Sequence, residues 1–281
     1  MDKPGPAFTR RAVLLTVAGT VVGVGALGSP PRHLQAEPAS PPPAEDLGPV
    51  AVPVAYRKIK TFAVTPTSRW RRPIYDIGDF LKRSPHTHFP RRSVMLTIDD
   101  GPHPVWTPKY LRLLQKHDIK ATFNMIGEQV LPNRHLVKAL ASEGHVVANH
   151  TWTHDERLPT RTRRDIRREI SETNHVLHEV TGIRPNQFRA PGGVWGPKVF
   201  AELARQQMMP VDWDIDPRDW ARPGTGAIES AMLQAGPGDI ILCHDGGGDR
   251  SETFRALQVV LPELKHRGFH FVTLPSVLPP T

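Results

Sequence analysis

Residues 93–102 read SVMLTIDDGP, and this stretch contains the first strong indication of how the chain folds. The apolar and β-branched run over residues 93–98 is typical of a buried strand, and the carboxylates of Asp99 and Asp100 stand where it ends. Neighbouring side chains of a strand point to opposite sides, so one carboxylate could bind a metal while the other stays free for proton transfer. A bare Asp-Asp-Gly-Pro stretch is equally common as a turn.

Similar runs recur downstream, separated by stretches with helical spacing. The further candidate strands are residues 121–126, 145–148, 187–189, 208–213, 239–243 and 269–274. Predicted helices begin at Thr107 as N-cap, cover residues 161–181 up to Gly182, and run over residues 251–268. This alternation predicts an α/β domain with parallel strands, either an open doubly wound sheet or a closed barrel. Both place the active site at the carboxyl ends of the strands.

The N-terminal third has a different composition. Residues 1–28 contain Arg10-Arg11 followed by a 16-residue apolar run with three glycines, which is typical of a twin-arginine-like export signal. The run is shorter than the roughly 20 residues of a stable membrane span, so cleavage is favoured over anchoring, which would require an uncleaved signal. We predict a proline-rich linker over residues 29–53, a basic extension over residues 54–91, and the folded domain over residues 92–275.

The net charge and the cysteine content restrict which binding partners and which metal ligands the chain can have. The 281-residue chain has a formal net charge of +8, and ten Lys and Arg face two Asp between residues 54 and 92. Such a charge attracts polyanions, but export makes an anionic cell-wall surface the expected partner and argues against nucleic acid. Cys243 is the only cysteine, so the sequence predicts no disulfide framework, and a metal must use His and carboxylate ligands. We expect a monomer.

Two histidines follow the third predicted strand, in residues 149–154, NHTWTH. His150 and His154 would share one face if the segment formed a helical turn, which is the spacing by which a helix offers two imidazoles to zinc. With 14 histidines in the chain, one accidental pair is expected. Added to Asp100, however, the pair gives a His, His, Asp set with positions left open for water and substrate.

Three later stretches also end predicted strands: residues 188–193, FRAPGG; residues 212–220, DWDIDPRDW; and residues 242–248, LCHDGGG. Taken alone, Arg189 could be a buried ion-pair partner and His244 a core histidine. Trp213 and Trp220 are more often core residues than sugar platforms. These stretches separately do not decide the function.

In chain order, TIDDGP, HTWTH, RAPGG, DPRDW and LCH resemble the five motifs of the NodB-like polysaccharide deacetylases, carbohydrate esterase family 4. The resemblance covers residues 92–274. It implies a distorted (β/α) barrel of about seven parallel strands. It also implies an enzyme that hydrolyses the N-acetyl groups of amino sugars in a cell-wall-type polysaccharide, peptidoglycan or chitin-like, and releases acetate.

The resemblance also implies residue roles. Asp100, His150 and His154 would bind zinc, with cobalt or another divalent metal as alternatives. Asp99 would be the general base, held by Arg189, and His244 the general acid, oriented by either Asp216 or Asp219. The implied substrate-binding residues are Pro191, Gly192, Trp220 and Leu242.

One position departs from the family pattern, and two other functions stay open. Gly192 stands where many members have an aromatic residue, so an aromatic wall of the substrate groove is missing while a backbone N–H remains. An esterase of the same fold that removes O-acetyl groups from xylan would share these motifs. A non-catalytic wall-binding protein that keeps the fold is a third reading.

Overall fold

The computed structural model describes residues 71–84 and 87–274. The predicted export signal, the proline-rich linker and residues 54–70 of the basic extension lie outside the described residues. Seven strands form one parallel sheet in the order β5-β4-β3-β2-β1-β6, with β7 paired to β1. Their bounds are β1 Ser93–Gly101, β2 Thr122–Met125, β3 Val146–Asn149, β4 Gln187–Phe188, β5 Met209–Pro210, β6 Ile240–His244 and β7 His270–Phe271.

In the part of the chain that the structure describes, eight α-helices surround this curled sheet. They are α1 Ile77–Arg83, α2 Trp106–Lys116, α3 Gly127–Val130, α4 Arg134–Ser142, α5 Arg163–Thr181, α6 Pro197–Gln206, α7 Thr225–Met232 and α8 Ser251–His266. The predicted distorted barrel of about seven parallel strands is confirmed, and each strand lies within one predicted run or extends it by at most three residues. Within the described residues, no helix is both long enough and apolar enough to cross a membrane.

Strand β1 shows how the alternating pattern separates the core from the site. Val94, Leu96 and Ile98 are buried in the large apolar cluster that also contains α2 and α8. Met95 belongs to a second cluster on the other side of the strand. Thr97 and Asp99 share the side of Met95 because side chains alternate, and both contact the fully buried Arg189. The inner side of the half-barrel therefore contains buried polar and charged side chains as well as apolar ones.

The packed core begins before the predicted domain boundary at residue 92. Ile74, Ile77 and Phe80 are buried in the second apolar cluster. The backbone of Ile74 pairs with Val211 after β5, while Asp76 pairs with Asp239 at the start of β6. These N-terminal residues therefore lie across the gap between the two outer strands of the half-barrel, and part of the basic extension belongs to the fold.

The start of α2 corrects the predicted N-cap. The helix begins at Trp106, with Val105 at the cap position, so Thr107 lies inside the first turn. The Thr107 hydroxyl instead accepts from the His103 N–H and donates to the buried carboxylate of Asp245. The predicted end of α5 is correct, because Gly182 follows it with the left-handed φ of 71° that glycine tolerates at a C-cap.

Candidate metal and proton-transfer site

Asp100, His150 and His154 converge at the carboxyl ends of β1 and β3. The Nε2 atoms of His150 and His154 lie 3.5 Å and 3.2 Å from Asp100 Oδ1. One ligand atom from each residue lies within 4.8 Å of the other two. The three residues that the sequence indicated as ligands are therefore brought together.

The two histidines do not meet through a helical turn, so that expectation is corrected. Residues 150–154 form an irregular loop in which Thr151 and His154 have left-handed φ angles of 69° and 59°. The loop is held in place by Glu169 of α5, whose carboxylate accepts hydrogen bonds from the N–H groups of Trp152 and Thr153 at 2.9 and 2.8 Å. Sequence reasoning missed Glu169, although its place beside Ile170 on the buried stripe of α5 marks it as an unusual core carboxylate.

These three residues fit a divalent cation. Asp100 Oδ1 is buried and has no hydrogen-bond partner among the described residues, so it offers an unsatisfied lone pair. His150 Nδ1 lies 2.9 Å from the Arg189 carbonyl oxygen, which can only accept; Nδ1 therefore carries the proton and Nε2 is left free to bind a cation. Burial raises the pKa of Asp100, but the neighbouring imidazole of His150 and the charges of His244 and His154 outweigh it, and the carboxyl group titrates well below its ordinary range.

Asp99 lies beside the metal-ligating groups, and its two carboxylate oxygens have different partners. Its Oδ1 accepts from Arg189 Nη1 at 2.9 Å and from Asn124 Nδ2 at 2.6 Å. Its Oδ2 lies 3.6 Å from His150 Nε2 and has no such donor among the described residues. Arg189 is fixed in turn by the carbonyls of Val211 and Asp212. One oxygen of Asp99 is thus held in place while the other faces the site.

His244 lies opposite Asp99, at the end of β6, and the two residues are in register. Its Nδ1 lies 2.7 Å from Asp219 Oδ1, and Asp219 Oδ2 accepts from the His244 backbone N–H at 2.9 Å. Burial lowers the pKa of His244, but the hydrogen bond and charge of Asp219 overcome that effect and raise it to about 9. The imidazole therefore carries a proton at neutral pH.

Of the two aspartates that could orient His244, the structure places Asp219 against it. Asp216 is exposed, and its carboxylate accepts the Arg218 N–H at 2.7 Å in a local turn. Arg218 has a left-handed φ of 53°, which turns the chain so that the next residue, Asp219, points inward. Asp219 is 1% exposed and also accepts from the Thr253 hydroxyl at 3.0 Å.

The four predicted substrate-binding residues differ in exposure. Pro191 and Leu242 are buried, whereas Trp220 is 50% exposed and carries the Arg218 guanidinium 5.3 Å from its ring. Gly192 is exposed with a φ of 59°, and a Cβ there would lie 3.3 Å from the Glu156 carboxyl carbon. An aromatic side chain at this position would need Glu156 to move.

Asp245 is a further carboxylate that the sequence analysis did not single out. It is fully buried, and burial raises its pKa to about 7. One of its oxygens accepts from the Thr107 hydroxyl, and the other packs against Gly101, where a Cβ would clash with it. Asp245, which directly follows β6, therefore contacts both the end of β1 at Gly101 and the first turn of α2 at Thr107.

Comparisons with known proteins agree with this arrangement. The family model described as polysaccharide deacetylase matches residues 86–211. A chitooligosaccharide deacetylase of Sinorhizobium fredii is 38% identical over 212 residues, which cover 70% of this chain and 97% of that protein. A peptidoglycan-N-acetylglucosamine deacetylase of Bacillus cereus is 42% identical over 195 residues, covering 66% of this chain and 87% of that protein.

A solved structure gives the same fold. The crystal structure of the Bc1960 peptidoglycan N-acetylglucosamine deacetylase, bound to a naphthalenyl N-hydroxybenzamide compound, superposes with a TM-score of 0.64 at 35% identity. The similarity covers 68% of this chain and 90% of that one.

Proposed function

The chain belongs to the polysaccharide deacetylase family, and on that premise we propose that it removes N-acetyl groups from the amino sugars of a cell-wall-type glycan by a metal-dependent hydrolysis. The observation that carries the proposal is one arrangement: a His, His, Asp set beside a buried carboxylate, with a histidine on the neighbouring strand that is paired with a buried aspartate. Those are the three groups that amide hydrolysis needs. Acetate and a free amino sugar are the products.

Asp100, His150 and His154 would hold the cation, and zinc is the proposed metal because two imidazoles and a carboxylate are a common catalytic zinc set. When bound, the metal would polarise the acetyl carbonyl and lower the pKa of a bound water towards about 7. Cobalt could replace zinc in the same ligand set. The orphaned Asp100 Oδ1 and the fixed tautomer of His150 support this assignment.

The residues of the chain handle two protons. Asp99 accepts a proton from the attacking water on its Oδ2, while Arg189 and Asn124 hold the other oxygen. The Gly192 N–H is proposed to donate to the negative charge that develops on the acetyl oxygen. His244 gives its proton to the departing nitrogen, because an amine leaves poorly unless it is protonated. Asp219 keeps that proton on the ring at neutral pH.

Amino-sugar glycans are the proposed substrates because the relatives are named for chitooligosaccharide and for peptidoglycan N-acetylglucosamine. The test is mass spectrometry and acetate measurement after incubating the protein with chitin oligomers, purified peptidoglycan and acetylated xylan. We expect free amines on the first two and acetate in equal amount. Acetate released only from xylan would favour the O-acetyl esterase. Glycan binding without acetate release would favour a non-catalytic wall-binding protein.

Export is proposed from the sequence of residues 1–28 and places the enzyme outside the cytoplasm, at or near the wall. Changing Arg10 and Arg11 to lysine should leave precursor in the cytoplasm if the twin-arginine route is used. Normal secretion of that variant would leave only a general export signal.

A further inference from the structure

The first two turns of α5 carry four exposed arginines, Arg163, Arg164, Arg167 and Arg168, here called the arginine face. Arg163 and Arg167 flank the buried stripe that includes Ile166 and Ile170, Arg164 and Arg168 lie farther round the helix, and the four span about 7.5 Å along the helix axis. Farther along the same helix, the exposed side chains include Glu172 and Glu179. The positive charge is therefore concentrated at one end.

This distribution opposes the helix dipole. A helix N-terminus carries partial positive charge and favours acidic side chains, whereas its C-terminus favours basic ones. Both α1 and α8 follow that preference, with Asp79 and Glu252 in their first turns and basic residues in their last. In α5 only Asp165, hydrogen-bonded to the Thr162 hydroxyl, supplies an acidic side chain to the exposed first turn. The arginine face is thus retained at a cost in stability.

The topology puts the N-terminal end of α5, which carries the arginine face, at the same edge of the sheet as the metal site. Helix α5 crosses from β3 to the parallel strand β4, so its N-terminus lies at the carboxyl edge of the sheet, where Asp100, His150 and His154 meet. Only residues 155–162 separate His154 from α5. In that connection Asp155 accepts from Arg157 and Arg161, and Lys198 Nζ donates to the Arg161 carbonyl at 2.9 Å.

The arginine face has spare charge. Residues 155–168 contain six arginines against Asp155, Glu156 and Asp165. Arg167 forms one long ion pair, 3.5 Å from Glu202. Arg163, Arg164 and Arg168 form no ion pair with any residue of the stretches 71–84 and 87–274. These three exposed guanidinium groups can bind anions, although Arg168 also lies near the Asp165 carboxylate, and arginine matches carboxylates in a bidentate geometry.

We infer that the arginine face binds the carboxylates of an acidic glycan strand while one of its N-acetyl groups occupies the metal site. The inference rests on the proposed function and makes it narrower: the preferred substrate is a glycan with carboxylate substituents, such as the lactyl and peptide groups of peptidoglycan. Neutral chitin oligomers occupy the metal site without engaging the arginines.

The test compares two triple variants with equal loss of charge. The first variant, called the arginine variant, carries the substitutions Arg163→Gln, Arg164→Gln and Arg168→Gln, which remove three residues of the arginine face. The control changes Lys116→Gln, Lys138→Gln and Arg184→Gln, which are exposed and lie away from the first turns of α5. Each protein is assayed for kcat/KM on soluble peptidoglycan strands and on chitin oligomers, and for co-sedimentation with insoluble peptidoglycan and chitin. Melting temperatures are measured in parallel.

The arginine variant should lose about tenfold in kcat/KM on peptidoglycan strands, with chitin oligomers nearly unaffected and the control unchanged on both. The wild-type preference for the acidic strand should fall as NaCl is raised from about 50 mM to about 0.5 M. The melting temperature of the arginine variant should not drop, because its substitutions relieve repulsion at a helix N-terminus.

Equal losses on both substrates, or no loss on peptidoglycan, would overturn the inference. Co-sedimentation with peptidoglycan that is lost for all the proteins once phosphodiester polymers are stripped from it would also overturn the inference. The arginines would then recognise phosphate rather than carboxylate groups. Acetate release from neither substrate by any of the proteins would refute the proposed function instead. In that case, selective loss of peptidoglycan co-sedimentation in the arginine variant would still support acidic-glycan binding, and unchanged co-sedimentation would refute it.

Discussion

The two halves of the site are built differently. On the metal half, His150 and His154 lie on an irregular loop with two left-handed residues, held by the buried Glu169. On the acid half, His244 lies on the regular strand β6 and is oriented by Asp219 from a separate turn. Under the proposed function, the loop has to hold two ligands at the right spacing around a cation, whereas His244 on the strand needs only its hydrogen bond with Asp219. The metal half should therefore be the more sensitive of the two.

The largest expected effect comes from breaking the metal half. His150→Ala removes a ligand that is buried and fixed by the Arg189 carbonyl, so metal and activity should be lost together. We expect acetate release to fall by about 10³-fold or more, with metal content measured by elemental analysis. The matched control is His175→Ala, which changes an exposed histidine of α5 and should alter neither quantity. Full activity in metal-free His150→Ala would separate the reaction from this site.

The next largest effect distinguishes the roles of the adjacent carboxylates of Asp99 and Asp100. Asp99→Asn should retain the metal but lower kcat by about 10² to 10⁴, because the base is lost while Arg189 and Asn124 still hold the side chain. Asp100→Asn should instead weaken metal binding. The comparison uses metal content and turnover of both variants. A metal-depleted Asp99→Asn protein would show that the assigned roles are wrong.

On the acid half, His244→Ala should keep the metal and lose about 10²-fold in turnover of an N-acetyl sugar. An activated aryl acetate should be far less affected, because its leaving group needs little protonation. The ratio of the two rates, compared with that of the wild type, measures the contribution of proton donation. An equal loss on both substrates would indicate that His244 serves another step.

The smallest expected effect is a shift in the pH dependence of activity, and it compares the two aspartates near His244, Asp219 and Asp216. The raised pKa of His244, about 9, keeps the acid protonated at neutral pH, so activity should decline only as pH rises through that value. Asp219→Asn removes the main group that raises this pKa. The alkaline limb of the kcat/KM profile should then move down by about 1 to 2 pH units. Asp216→Asn is the control and should leave the limb in place, since Asp216 contacts only its local turn.

The sequence predicted the regular parts of the molecule well, and the reasons are local. The strands and the Gly182 stop of α5 follow from short-range patterning, and the roles of residues 99, 100, 150, 154, 189 and 244 are implied by the resemblance to the family motifs. The choice between Asp216 and Asp219 depended on a left-handed backbone at Arg218, which no periodicity encodes. Glu169 and Asp245 act across distant parts of the chain, so their partners became visible only in three dimensions.

The central claim is that Asp100, His150 and His154 hold a metal that this chain needs to hydrolyse an amide. It is tested most directly by stripping the purified protein with a chelator, returning zinc in steps, and following acetate and free amine from N-acetylglucosamine oligomers. We predict no product from the metal-free protein and recovery that reaches its maximum at one zinc per chain. Undiminished acetate release from the metal-free protein would contradict the account.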